Sequence, residues 1–132
     1  MIRALKKLGD TKLSLKVLHL LTQSSYDSIL ITDATKAAKV IYANSAFKKL
    51  TGYAPSEIIG KSPRILQGAA TDKKVIARLG KALRNGGQFE GQAINYKKDG
   101  TPFIMVWRVL PVKAGKQTRC WVAIQREGFA IR

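Results

Sequence analysis

The last third of the chain most narrows what it can fold into. From Gln88 onward three runs follow one another, FEGQAINYKKDG, TPFIMVWRVLPV and KQTRCWVAIQREG, each rich in the β-branched and aromatic residues that suit a pleated, half-buried surface. Asp99-Gly100 separates the first two, and Ala114-Gly115 falls in the turn between the second and third. Asp-Gly is a strong hairpin signal, because its glycine accepts the positive φ that a tight turn needs. The runs therefore read as three successive antiparallel strands.

Two more strands precede them. YDSILITD (26–33) and KVIYAN (39–44) carry the same composition around a short polar connector, which predicts a hairpin. Helical segments fill the interval. Asn44 opens SAFKKLTGY as a helix start and Gly52 closes it. APSEIIGKSPRILQG holds two prolines and two glycines in one short span, so it predicts short helical turns, not one long helix. Thr71 or Asp72 can cap the segment DKKVIARLGKALRNGG, in which Val75, Ile76, Leu79, Ala82 and Leu83 share one face and Asn85, Gly86 and Gly87 mark the end. Ahead of everything, KLSLKVLHLLT (12–22) places Leu13, Val17, Leu20 and Leu21 at helical spacing, a stripe that could dock on the sheet or on a second subunit. The sum is an α+β domain with its helices on one face of the sheet and room for a small ligand between the layers.

Composition removes several classes. With 132 residues, 45% of them apolar, the chain fits one domain with a core of its own. A single cysteine, Cys120, forms no intramolecular disulfide, and with one histidine, His19, no zinc site of the usual spacing can be assembled. MIRALKKLGD starts with basic residues but lacks the apolar run of a secretion signal, and no long apolar segment occurs, so a cytoplasmic location is expected. The net charge of +16, from 24 Lys and Arg against 8 Asp and Glu, favours contact with polyanions. The cations are dispersed and not interleaved with aromatics, which reads as a solvated basic surface; charge-driven nucleic-acid binding is a third reading, marked by steep salt dependence. No Ser-His motif, P-loop or spaced carboxylate pair is present, so a sensory module is expected and an enzyme is not.

The motifs ILITD with IYANSAFKKLTGY, GKSPRILQG followed by TD, INYKKDGTPF and WVAIQ, in this order, resemble the PAS domains, and within them the flavin-binding LOV branch that senses blue light. The resemblance covers roughly residues 26 to 127 and implies a five-stranded antiparallel sheet in the order 2-1-5-4-3 with helices cupping a ligand against it. It divides the chain into an N-terminal helical region (1–25), the PAS/LOV-like domain (26–128) and a tail (129–132). By the same resemblance Thr32, Asn44, Arg64, Gln67, Asn95 and Gln125 are cofactor-binding positions, for FMN or FAD. Amide side chains suit the donor and acceptor edge of a flavin, and Arg64 suits a phosphate.

LOV domains carry, inside the equivalent of GKSPRILQG, a cysteine whose sulfur light drives onto the flavin ring. The matching residue here is Pro63, which has no thiol, hydroxyl or N–H and cannot be that nucleophile. Cys120 falls on the last predicted strand and reads as a small, half-buried strand residue. Three further positions depart from the family: Ser62 and Met105 stand where it has asparagines, and Gly80 where it has a second phosphate-binding arginine, with Arg78 and Lys81 the candidates to substitute from nearby.

Each candidate also has a plain structural reading. Asn44 can cap the helix after it, Thr32 is ordinary strand composition, and Asn95 or Gln125 could simply bond within the sheet. Arg64 and Gln67, three apart, face one side of a helical turn that Pro63 begins. Trp107, Trp121 and Tyr96 are electron donors to an excited flavin or else sheet packing. The expected function is a sensory module that binds flavin non-covalently and responds by redox change or photoreduction, acting as a homodimer on an unidentified output domain or partner. The rival is a ligand-free PAS dimerisation or docking module. REGFAIR departs from the exit sequence usual in the family, which fits either a piece of a larger receptor or signalling through the domain's own surface.

Overall fold

Alternation of apolar and polar residues along five strands builds one antiparallel sheet in the computed structural model, which describes residues 1–129. Residues 130–132, most of the expected tail, lie outside the described residues. The strands are β1 (Ser28–Asp33), β2 (Val40–Ala43), β3 (Phe89–Tyr96), β4 (Pro102–Ala114) and β5 (Gln117–Glu127), in the order β2-β1-β5-β4-β3 anticipated from the resemblance. Gly100 (φ +88°) makes the β3–β4 turn. Gly115 (φ +63°) makes the β4–β5 turn, with Ala114 still inside β4 and paired to Gln117.

Register fixes what shares the inner face. Ser28 lies opposite Gln125, which lies opposite Trp107, while Ala93 lies opposite Met105. Side chains alternate across a strand, so Leu30, Thr32, Asn95, Met105, Trp107, Trp121 and Gln125 all point to the buried side. The covering layer is α3 (Ser45–Thr51), α4 (Pro55–Ile58), a 3₁₀ turn (Pro63–Leu66) and α5 (Lys73–Arg84). Phe47, Ile58 and Leu66 are fully buried anchors of that layer, each contributing roughly 1.5–3 kcal/mol by leaving water. Val75, Ile76, Leu79, Ala82 and Leu83 of α5 pack on the core as their spacing predicts. Asp72 caps α5 by accepting from Lys74 N at 2.8 Å, and Gly52 (φ +81°) ends α3.

The N-terminal region holds the expected helix over 12–22 and one more that was not expected. A short helix, α1 (Ile2–Lys6), precedes α2 (Thr11–Ser24), and neither buries a residue. The leucine stripe of α2 docks on no sheet: Leu20 is 65% and Leu21 56% exposed. The helix is held at its C-terminal end, where Thr22 Oγ1 meets the Tyr42 hydroxyl at 2.7 Å and Ser45 N donates to Gln23 Oε1 at 2.9 Å. Among the described residues, no helix is long and apolar enough to cross a membrane.

Candidate ligand cavity

Between the inner face of the sheet and the helical layer lies a cavity of about 140 Å³, roughly ten times the space one water needs. Trp107, Val109, Trp121 and Ala123 form its floor, and Leu66, Ile76 and Leu79 its roof. Of the six expected site residues, Thr32, Arg64, Gln67, Asn95 and Gln125 line it together. They come from β1, the 3₁₀ turn and the residue that ends it, β3 and β5, so the topology assembles what the sequence scatters.

The two amides carry the chemistry. Gln125 is 3% exposed, and its Oε1 accepts from Ser28 Oγ at 2.9 Å. Asn95 is 5% exposed; its Nδ2 donates to Met105 Sδ at 3.3 Å, and its Oδ1 has no hydrogen-bond partner among the described residues. A thioether is a weak acceptor, and a buried carbonyl without a donor costs about 1–3 kcal/mol. Asn95 thus holds an acceptor for which no described residue supplies a donor. Met105 sits in the wall beside it without closing the hollow.

Across the cavity, Ser62 Oγ accepts from Arg64 N at 3.2 Å and Pro63 occupies the first turn, so the 3₁₀ segment starts in a fixed direction. Leu66 anchors its far end while Arg64 stays exposed at the cavity edge. The following stretch is pinned to β3: Thr71 Oγ1 donates to Ile94 O at 2.6 Å and accepts from Gly68 N at 3.0 Å, and Ala70 N donates to the Tyr96 hydroxyl at 2.9 Å. A Cβ on Gly68 would lie 2.3 Å from Tyr96 Cε2. Gly68→Ala is therefore expected to destabilise the domain by about 1–2 kcal/mol, read as a lower urea midpoint, because the tyrosine must leave its bond to Ala70 to make room.

Three expectations need correction. Asn44 is fully buried but does not line the cavity; its Oδ1 accepts from Ile29 N at 2.8 Å and its Nδ2 donates to Thr22 O at 2.7 Å and Asp27 O at 3.0 Å. Nor does its side chain cap α3, since those bonds use it fully. Arg78 does not substitute at the cavity: it donates to Glu90 O at 2.8 Å and stacks over the Phe89 ring at 4.8 Å, and Lys81 is not in the lining either. Lys36, in the β1–β2 loop, lines the cavity instead, and nothing in its sequence surroundings marked it out. Trp107 and Trp121 reach the cavity and Tyr96 does not; Cys120, half-buried next to Trp121 on β5, faces the opposite side of the sheet.

Three carboxylates, Asp99 exposed and Asp33 and Glu57 half-buried, are held below their ordinary range. For Asp33 the main cause is the hydrogen bond from the Thr35 hydroxyl, for Glu57 that from Lys98, and for Asp99 that from the Thr101 backbone. A depressed folded-state value means stability that is complete above the unfolded value and is lost as pH falls through the folded one. Melting temperature is accordingly expected to hold from neutrality down to about pH 5 and then to drop on further acidification; Asp33→Asn, which removes one of the three groups, should flatten that drop.

Comparison with known proteins agrees with this geometry. Residues 27–127 match the PAS domain family. The chain is 37% identical over 91 residues to phototropin-2 of Oryza sativa subsp. japonica, which covers 68% of the chain and 10% of the phototropin. It is 31% identical over 111 residues to a blue-light photoreceptor of Listeria monocytogenes, covering 84% of the chain and 44% of that protein. The solved LOV domain of the Erythrobacter litoralis blue-light activated histidine kinase superimposes with a TM-score of 0.73 at 35% identity, covering 76% of this chain and 94% of that one.

Proposed function

The chain belongs to the PAS domain family and, within it, to the LOV branch of blue-light sensory domains, and from that premise we propose that its cavity holds a flavin, FMN or FAD, without a covalent bond to the protein. The observation that carries this reading is Asn95 Oδ1, a buried acceptor that meets no hydrogen-bond donor among the described residues, on a side chain that lines the cavity. A bound flavin supplies blue-light absorption and reversible redox chemistry. Asn95 and Gln125 offer the donors and acceptors that a flat heteroaromatic edge needs, and Trp107 and Trp121 offer aromatic walls. Pro63 gives no nucleophile at the position where the family carries its cysteine, and Cys120 stands on the wrong face of the sheet, so the response is a change of redox and protonation state.

Gln125 is the residue that reads such a change. Its amide can turn over, exchanging acceptor for donor toward the cavity, and the Ser28 hydroxyl can follow because it both donates and accepts. The purified chain, supplied with FMN, is expected to be yellow and to recover its oxidised absorption completely after reduction in light. A chain that stays colourless after addition of flavin refutes the reading.

The exposed leucines of α2 favour a second reading beside the first, in which that helix is a self-association surface. Val17→Asp with Leu21→Asp is expected to shift the monomer–dimer balance toward monomer, measured as mass in solution. An unchanged balance rules out association through α2.

A further inference from the structure

The cavity mouth carries two cations and no counter-charge. Lys36 and Arg64 line it, no acidic residue does, and neither joins an ion pair among the described residues. Lys36 is delivered by a loop that is built and not merely connecting. The Asp33 carboxylate accepts from Thr35 N at 3.2 Å, from Thr35 Oγ1 at 2.6 Å and from Lys39 N at 3.1 Å, while Ala38 N donates to Thr35 O at 3.0 Å. Within that lock Ala38 takes φ +49°, the left-handed region that alanine avoids, and no other non-glycine among the described residues does so. Strain that persists because its surroundings over-determine it concentrates at ligand sites. Here the strained turn brings Lys36, Ala37 and Ala38 to the cavity edge, with two small side chains leaving the opening clear beside the lysine.

We propose that Lys36, from the β1–β2 loop, is a second cation beside Arg64 at the phosphate end of the flavin, and so a residue that sets the preference for FMN over riboflavin. The assignment rests on the flavin reading and deepens it. Gly80 also lines the cavity and offers no side chain, Arg78 is committed to β3, and neither Lys81 nor Arg84, whose guanidinium lies beside Gly80, is in the lining; Lys36 of the β1–β2 loop is. Lys36 acts as a point charge toward phosphate, and Arg64 as the planar donor.

The test is an equilibrium titration of the full chain with FMN and with riboflavin, followed by flavin fluorescence anisotropy, for wild type, Lys36→Gln, Arg64→Gln and Lys39→Gln. Lys39→Gln removes a charge from the same loop without touching the cavity lining. Lys36→Gln is expected to lower the FMN-over-riboflavin preference by about two- to five-fold, as for a solvent-exposed ion pair, with riboflavin affinity unchanged and Lys39→Gln like wild type. That preference should shrink further as salt is raised. If both flavins bind and Lys36→Gln keeps the wild-type ratio, or Lys39→Gln lowers it equally, the Lys36 assignment fails alone. If neither flavin binds to any variant, it fails together with the flavin reading.

Discussion

Asn95→Leu is expected to make the ligand-free protein more stable and to weaken flavin binding about ten-fold or more. The two effects have one origin. Asn95 is buried with an unpartnered Oδ1, and among the described residues its side chain makes one hydrogen bond, to the Met105 thioether, a weak acceptor. Replacing it with an apolar side chain of similar volume removes a desolvated carbonyl and adds apolar contact with Met105, for a gain of about 1 kcal/mol, or roughly 3–5 °C in melting temperature at this chain length. The same change removes a donor–acceptor pair from the flavin edge, which accounts for the loss of affinity. Thermal denaturation without flavin and a flavin titration of the same preparation separate the outcomes. If stability falls instead, Asn95 is a structural sheet residue and the observation on which the flavin reading stands is lost. The ordinary expectation for a core substitution is destabilisation, so a rise in melting temperature would be hard to explain without a function for the amide.

What could be read from the sequence was what local chemistry decides. Asp99-Gly100, Gly52 and the pair Thr71-Asp72, of which Asp72 is the cap, announced a turn, a helix end and a helix start because each answers a backbone requirement within a few residues. The α5 face was legible because burial at helical spacing leaves its period in the residues. The site was harder. Thr32, Arg64, Gln67, Asn95 and Gln125 were assembled through a family resemblance and not through spacing, since β1 and β5 become neighbours only when the sheet closes on residues almost a hundred positions apart, Ser28 against Gln125. Lys36 was invisible for the opposite reason: a lysine in a chain of 24 cations carries no mark until the Asp33 lock sets it at a cavity edge. Arg78 went unread as a structural residue because its partners, Glu90 O and the Phe89 ring, sit on the next strand. Helix α1 was missed because five residues hold too little periodicity to separate from a basic tail.

Asn44 was misread for a related reason. Asparagine before a helix is an N-cap on local evidence, yet this one turns its side chain back to three backbone groups on two other segments. Asn44→Ala is accordingly expected to cost about 3 kcal/mol, well beyond the loss of a helix cap, since one buried donor and two acceptors lose this partner at once. Asn44→Asp should be no better, because a carboxylate still accepts from Ile29 N but meets the Thr22 and Asp27 carbonyls with a negative charge in place of a donor. Urea denaturation gives the first effect. The second is local: Asn44 and the neighbouring contacts of Thr22 and Gln23 are what hold α2 to the sheet, so amide exchange in the last turn of α2 should accelerate more than in α5. Asp27, whose carbonyl Asn44 also holds, directly precedes Ser28, the partner of Gln125, so the cavity amide and the root of α2 meet where the chain enters β1. A variant that loosens α2 while leaving flavin uptake intact would place Asn44 between sensing and the helix rather than in the binding of the ligand. A variant within 1 kcal/mol of wild type, with α2 exchange unchanged, would show instead that the three bonds are replaced by water and that the helix is held by Thr22 and Gln23 alone.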